Sequence, residues 1–165
     1  MKIMKKQTIL AVLFVLGQGV STAPAASGNA SGSAALALAG VVASHSSVLA
    51  SYDRRAMARL FGGNSGISFP PGRKISVAAD SIVCRASNVD ITSRTCELTF
   101  GAGKRHLKGR EANELAATLA AAGVAPEGAA GSIVESVSKL ACAIDPNEIR
   151  QKAGGGAQCA FETGL

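Results

Sequence analysis

Thr95-Cys96-Glu97-Leu98-Thr99-Phe100, followed by Gly101-Ala102-Gly103-Lys104, is the stretch on which the fold turns. Successive side chains of a strand point to opposite faces. Cys96, Leu98 and Phe100 therefore share one face, and Thr95, Glu97 and Thr99 share the other. Such alternation belongs to a sheet with one packed and one solvated face. The Gly-Ala-Gly-Lys segment is hairpin chemistry and predicts a short return strand over Arg105 to Lys108.

Working outward, strand-like sequence begins near Lys74, where Ile75 and Val77 alternate with small or polar residues. Ile82 and Cys84 share one parity, and Ser87-Asn88-Val89-Asp90 reads as a turn. Asp80 and Asp90 are read as turn residues rather than as a catalytic carboxylate pair. Residues 132–144 fit two patterns. Ile133, Val137, Leu140, Ala141 and Ile144 suit a helix, while Leu140, Cys142 and Ile144 suit one face of a strand. The second repeats the setting of Cys96, so a strand over 136–144 is preferred. A last strand over Gln158 to Glu162 places Cys159 and Phe161 on one side.

Helical spacing appears three times. Leu49, Tyr52, Ala56, Met57, Leu60 and Phe61 form an amphipathic stripe capped by Ser46 or Ser47 and stopped at Gly62-Gly63. Ala112, Leu115, Ala116, Leu119 and Ala122 form a second stripe, with Glu111 in its first turn and Gly123 at its end. Asp145-Pro146-Asn147-Glu148 starts a short third helix, which Gly154-Gly155-Gly156 must end. The expected fold is an α+β two-layer sandwich. A mostly antiparallel sheet of about five strands packs on one main helix, with the amphipathic helix before it. No internal repeat of useful length is visible.

The cysteines are Cys84, Cys96, Cys142 and Cys159. None stands in the close pair that zinc sites and redox motifs use. Pairing of neighbouring strands favours Cys84–Cys96 and Cys142–Cys159 as disulfides, which would staple a chain poor in aromatic core.

The N-terminus explains how they would be oxidised. Lys2, Lys5 and Lys6 precede the apolar run Ile9 to Leu16, and Ala23-Pro24-Ala25 matches the small-residue cleavage rule. Residues 1–25 are expected to be a signal peptide cut after Ala25, with a periplasmic or secreted product and no stable membrane insertion afterwards. No cysteine near the cut could carry a lipid. Residues 26–44 read as a flexible Ala/Ser/Gly-rich leader, whose apolar patch Ala34 to Ala39 is expected either to dock on the domain or to extend the next helix, and 45–165 as a single disulfide-stapled domain.

Composition narrows the function. The 165 residues are 47% hydrophobic, 17% charged and 4% aromatic, which excludes a highly charged disordered chain. Seventeen Lys and Arg against 11 Asp and Glu give +6, and loss of the three leader lysines leaves +3. That mild charge, with only Tyr52 and four Phe outside the leader, offers no stacking platform for nucleic acid or sugars.

No metal or cofactor motif is present. His45 and His106 are far apart in sequence, G-x-S-x-G is absent, and the triple glycine lacks the Lys-Ser/Thr of a phosphate loop. The most distinctive local feature is Lys104-Arg105-His106-Leu107-Lys108-Gly109-Arg110. On a strand, Lys104, His106 and Lys108 point one way, and Arg110 stands at the entrance of the following helix. Lys104, Arg105, His106, Lys108 and Arg110 are thus the candidate surface for an acidic protein or anionic ligand, with the Gly-rich loop before Cys159 as the other. The expected function is an exported, non-catalytic binding module of the bacterial envelope, of the inhibitor or accessory type. The alternatives are a small periplasmic hydrolase using His106 with a carboxylate, and a structural envelope component.

Overall fold

The computed structural model describes residues 26–46, 74–87, 89–101, 103–129, 131–151 and 155–164. Residues 1–25, read above as a signal peptide, and the expected amphipathic stripe from Leu49 to Phe61 lie outside the described residues. The elements are β1 (Ala26–Ser31), α1 (Gly32–His45), β2 (Ile75–Ser87), β3 (Thr95–Phe100), β4 (Gly103–Lys108), α2 (Arg110–Ala121), β5 (Glu127–Ala129), β6 (Ser132–Ile144), α3 (Pro146–Gln151) and β7 (Ala157–Thr163). A 3-10 turn over Ile91–Ser93 joins β2 to β3.

Among the described residues the sheet is antiparallel in every pairing and has seven strands, in the order β1-β7-β6-β2-β3-β4, with β5 paired to β6. Five strands was therefore too few. β5 has three residues, too short for any alternation to register. β1 reads Ala-Ser-Gly-Asn-Ala-Ser, with no hydrophobic period at all.

Residues 26–44 are a strand and a packed helix rather than a flexible leader. β1 pairs with β7 from Ala26↔Thr163 to Ser31↔Gln158, joining the first described strand to the last. α1 buries Ala35, Leu36, Leu38, Ala39, Val42 and Ala43. Residues 26–45 thus belong to the folded unit, and both α1 and α2 cover the sheet. Alanine and leucine are strong helix formers, so α1 needs only a surface to pack on. Small side chains let it approach the sheet closely. In β1 the backbone supplies the hydrogen bonds and only Ala30 enters the core.

Residues 132–144 are a strand throughout, resolving the ambiguity in favour of the Cys142 pattern. β2 and β6 are the long central pair, and both change parity midway. β2 buries Ile75, Val77 and Ala79, then Ile82, Cys84 and Ala86. β6 buries Glu135 and Val137, then Leu140, Cys142 and Ile144. Ala79 faces Leu140 and Ser81 faces Ser138, so the two changes lie side by side. The β6–β7 register shifts between Ser138 and Ala141, and Lys139 there has φ 51°. One extra residue in a strand sends the following side chains to the opposite face. Both halves of each strand thereby contribute to one core cluster under α1 and α2. Asp80 sits at this switch, inside β2 rather than in a turn, and its carboxylate accepts from the Gly101 backbone N–H.

Both disulfides form as the sequence suggests, Cys84–Cys96 across β2 and β3, and Cys142–Cys159 across β6 and β7. Each joins directly opposite residues. No free cysteine remains. Cys96 Sγ lies 3.4 Å from the Ala112 carbonyl of α2, and Cys159 Sγ lies 3.4 Å from the Ala35 carbonyl of α1. A disulfide sulfur has no proton to give, so these are packing contacts, and each marks where a helix rests on its staple.

α2 ends as expected at Gly123 (φ 92°). Val124 N–H donates to Leu119 O at 3.0 Å and Gly123 N–H to Ala120 O at 3.0 Å, closing the last turn while Val124 enters the core. Asp145 caps α3, accepting from Asn147 N–H at 2.9 Å.

The staples place the chain in an oxidising, extracytoplasmic setting, because cytosolic thiols are kept reduced. Among the described residues, no helix is long and apolar enough to cross a membrane.

Candidate functional site on the outer sheet face

α1 and α2 pack on one face of the sheet, and Arg85, Glu97, Lys104, His106 and Lys108 collect on the other. Register decides who meets whom. The Cys84–Cys96 pair fixes Arg85 opposite Thr95, and Thr95 lies opposite Lys108 on β4. The next row is Val83, Glu97 and His106. These two rows line an open concavity of about 470 Å³, with buried Val83 at its floor and Arg85, Thr95, His106 and Lys108 exposed around it.

The electrostatics are uneven. Lys104 Nζ donates to Glu97 Oε1 at 2.9 Å, and His106 Nδ1 lies 3.5 Å from Glu97 Oε2. The Lys104 hydrogen bond, aided by the charges of Lys104 and Arg85, holds the Glu97 carboxyl below the usual carboxylate range. Glu97 thus occupies two of the basic groups. Arg85 and Lys108 make no ion pair among the described residues.

The five residues singled out from the sequence separate accordingly. Lys104, His106 and Lys108 share the outer face of β4. Arg105 has the opposite parity, that of buried Leu107, and stays exposed. Arg110 Nε donates to Glu114 Oε1 at 3.0 Å, along its own helix and away from the two rows. The other candidate loop turns at Gly155 and Gly156, where the Gly156 carbonyl accepts from Asp145 N–H at 2.8 Å. Gly154 lies outside the described residues.

Arg85 was missed. A single charge within a strand carries no signal by itself, yet the proposed Cys84–Cys96 pairing already implied its place. Opposed cysteines in an antiparallel pair fix every other partner, putting Arg85 beside Thr95.

His106 has the Glu97 carboxylate near one ring nitrogen, but its side chain is 65% exposed and no hydroxyl bonds to it among the described residues. A nucleophile–base–orienter relay is not assembled around it there. Among the described residues, no group of three metal-ligating side chains comes together.

A further ion pair lies on the core side. Arg94 Nη1 stands 3.4 Å from Glu135 Oε2, with the side chains only 14% and 7% exposed. Glu135 faces Cys84 across β2 and β6, so this carboxylate sits beside the first staple. Asp90 organises the turn leading to Arg94. Hydrogen bonds from the Thr92 hydroxyl and N–H hold its carboxyl below the usual range.

Compared with protein-family models, with curated proteins and with solved structures, the chain matches none.

Proposed function

We propose that this chain is an exported, non-catalytic binding module, of the inhibitor or accessory type, that receives a carboxylate- or phosphate-bearing partner on the outer face of β2, β3 and β4. One observation carries the reading: Arg85 and Lys108 flank Thr95 in a single exposed row, with no carboxylate paired to either among the described residues. Two cations about a hydroxyl on a rigid sheet suit a planar or tetrahedral anion, since charge-assisted hydrogen bonds are the strong ones. The staple beneath that row, Cys84–Cys96, keeps its geometry preorganised. Export is supported by the leader pattern and by the two disulfides. Cleavage after Ala25 would leave every described strand pairing in place, because β1 pairs with β7 from Ala26 onward.

The test is an NMR titration with a Glu-rich peptide and, separately, with inorganic phosphate. Shifts concentrated at Arg85, Thr95 and Lys108 are expected, and Arg85→Glu with Lys108→Glu should weaken binding at least about tenfold, roughly 1.4 kcal/mol. Glu97→Gln should tighten it by releasing Lys104. Acidification works against the peptide instead: its carboxylates, with ordinary pKa values, take up protons before Glu97, whose pKa is depressed, so affinity for the peptide should fall as the pH drops through the usual carboxylate range. Shifts elsewhere, or indifference to the double reversal, would remove the site.

A further inference from the structure

The two edges of the sheet are built alike and defended differently. Among the described residues, β1 and β4 are its outermost strands. Each has six residues, and each runs through a positive-φ glycine, Gly32 (φ 67°) or Gly109 (φ 59°), into a helix. The Cα atoms of Cys142 and Cys159 are 4.0 Å apart, the short spacing of a non-hydrogen-bonded pair. The Cys159 backbone groups must then face β1, where Ala30 is its partner. Gly28 and Ala30 bond inward to β7, and Ser27, Asn29 and Ser31 turn their N–H groups to the open edge. The same reasoning from Cys84–Cys96, also 4.0 Å apart, turns Lys104, His106 and Lys108 outward on β4.

A free edge is a template for another strand, and lysines are a usual guard. β4 carries Lys104 and Lys108 on its outward positions. β1 carries serine, asparagine and serine there, with no charge and no proline anywhere in the strand. We propose that β1 is a self-pairing edge, and that a second copy of this chain adds its own β1 antiparallel to form a twofold dimer with a continuous sheet. The register follows from the outward positions. Asn29 stands opposite Asn29 of the partner subunit, and Ser27 opposite Ser31 of the partner subunit. Every new side-chain neighbour is small and neutral. The same operation at β4 would set Lys104 against a second Lys108 twice, and like charges directly opposite are destabilising.

A twofold contact also closes on itself, whereas β1 on β4 would propagate without end. The neutral outer face beside β1, with Ser76, Ala78, Ala143 and Ala160 exposed, continues across the new pairing and adds no charge to it. Two six-residue strands bury little, so the dimer is weak and concentration-dependent. This inference rests on removal of residues 1–25, which would otherwise precede the edge.

Sedimentation velocity of the exported protein over roughly a hundredfold concentration range tests it, since mass action governs a weak dimer. The wild type should pass from monomer to dimer, and Ser27→Lys with Ser31→Lys should stay monomeric throughout, raising Kd at least about tenfold. Amide exchange at Ser27 and Asn29 in the wild type, which does not depend on the variant folding, should slow as concentration rises. A monomer at every concentration, a dimer indifferent to the two lysines, or exchange independent of concentration would overturn self-pairing. Intact mass of the same sample reads the cut after Ala25 separately, so failure of the export reading is told apart.

Discussion

The half of the molecule formed by β2, β3, β4 and α2 and the half formed by β6, β7, β1 and α1 share a skeleton and differ in their surfaces. Across the central pair, β2 corresponds to β6, β3 to β7, β4 to β1 and α2 to α1, consistent with the strand order. Gly109, Ala112, Leu115, Ala116 and Leu119 recur at identical spacing as Gly32, Ala35, Leu38, Ala39 and Val42. Four members of each series, from the alanine onward, are buried in the core. Asp90 organises one connection and Asp145 the other. Even the two outer concavities correspond, both about 470 Å³. Where one presents Arg85, Glu97, His106 and Lys108, the other presents Ala143, Ala160, Asn29 and Ser31. Positions that touch the core repeat because packing tolerates few shapes. Positions that face water are released from that constraint, and there the halves diverge into a charged surface and a neutral one.

The largest effect expected from breaking this equivalence is loss of a staple. The sequence separations are 12 and 17 residues, so removing either disulfide by paired Cys→Ser substitution should cost about 3 kcal/mol in the chain-entropy account. Denaturant unfolding of the two double variants should give similar losses. A difference of several kcal/mol would show that one half carries the fold.

A smaller effect probes the place where the cores differ. Glu135 occupies the position that Val77 holds in the other half. Glu135→Val alone leaves the Arg94 guanidinium without its carboxylate and should cost about 2 kcal/mol, less than the roughly 3–5 kcal/mol of a fully buried pair because Arg94 keeps some access to water. Adding Arg94→Leu should recover most of that loss. Failure of the second change to rescue the first would mean that Glu135 serves something besides Arg94.

The smallest concerns the parity switch. Lys139→Val places a β-branched residue at φ 51° and should cost about 1 kcal/mol, whereas Lys139→Gly should cost less than half that. Lys139 also pairs with Glu162 at 2.9 Å, but an exposed pair contributes little. Equal losses in the two variants would assign the cost to this ion pair rather than to the backbone.

Much of the fold was legible locally. Alternation around Cys96 and Cys142, the Ala112 to Leu119 stripe, the Gly123 stop and the Asp145 cap are each specified by neighbours in sequence. The repeat was not, because it is permuted: one half is continuous in the chain, while the other joins the C-terminal strands to the N-terminal strand and helix. Reading left to right, nothing places Gly32 to Val42 after Phe161. The candidate site divides in the same way. The Lys104, His106 and Lys108 face follows from strand period, whereas Arg85 needed a register.

Residue order alone determined which segments alternate, which coil, where they stop and which cysteines sit on buried faces, since these depend on side-chain period and local backbone preference. Only the tertiary structure decided that a strand of serine, glycine and alanine belongs to the sheet. Its Gly28 admits the Phe161 ring, which would stand 2.4 Å from an added Cβ. A neutral edge strand is held by backbone hydrogen bonds to a partner 127 to 137 residues away, and backbone bonding leaves no mark in the side chains.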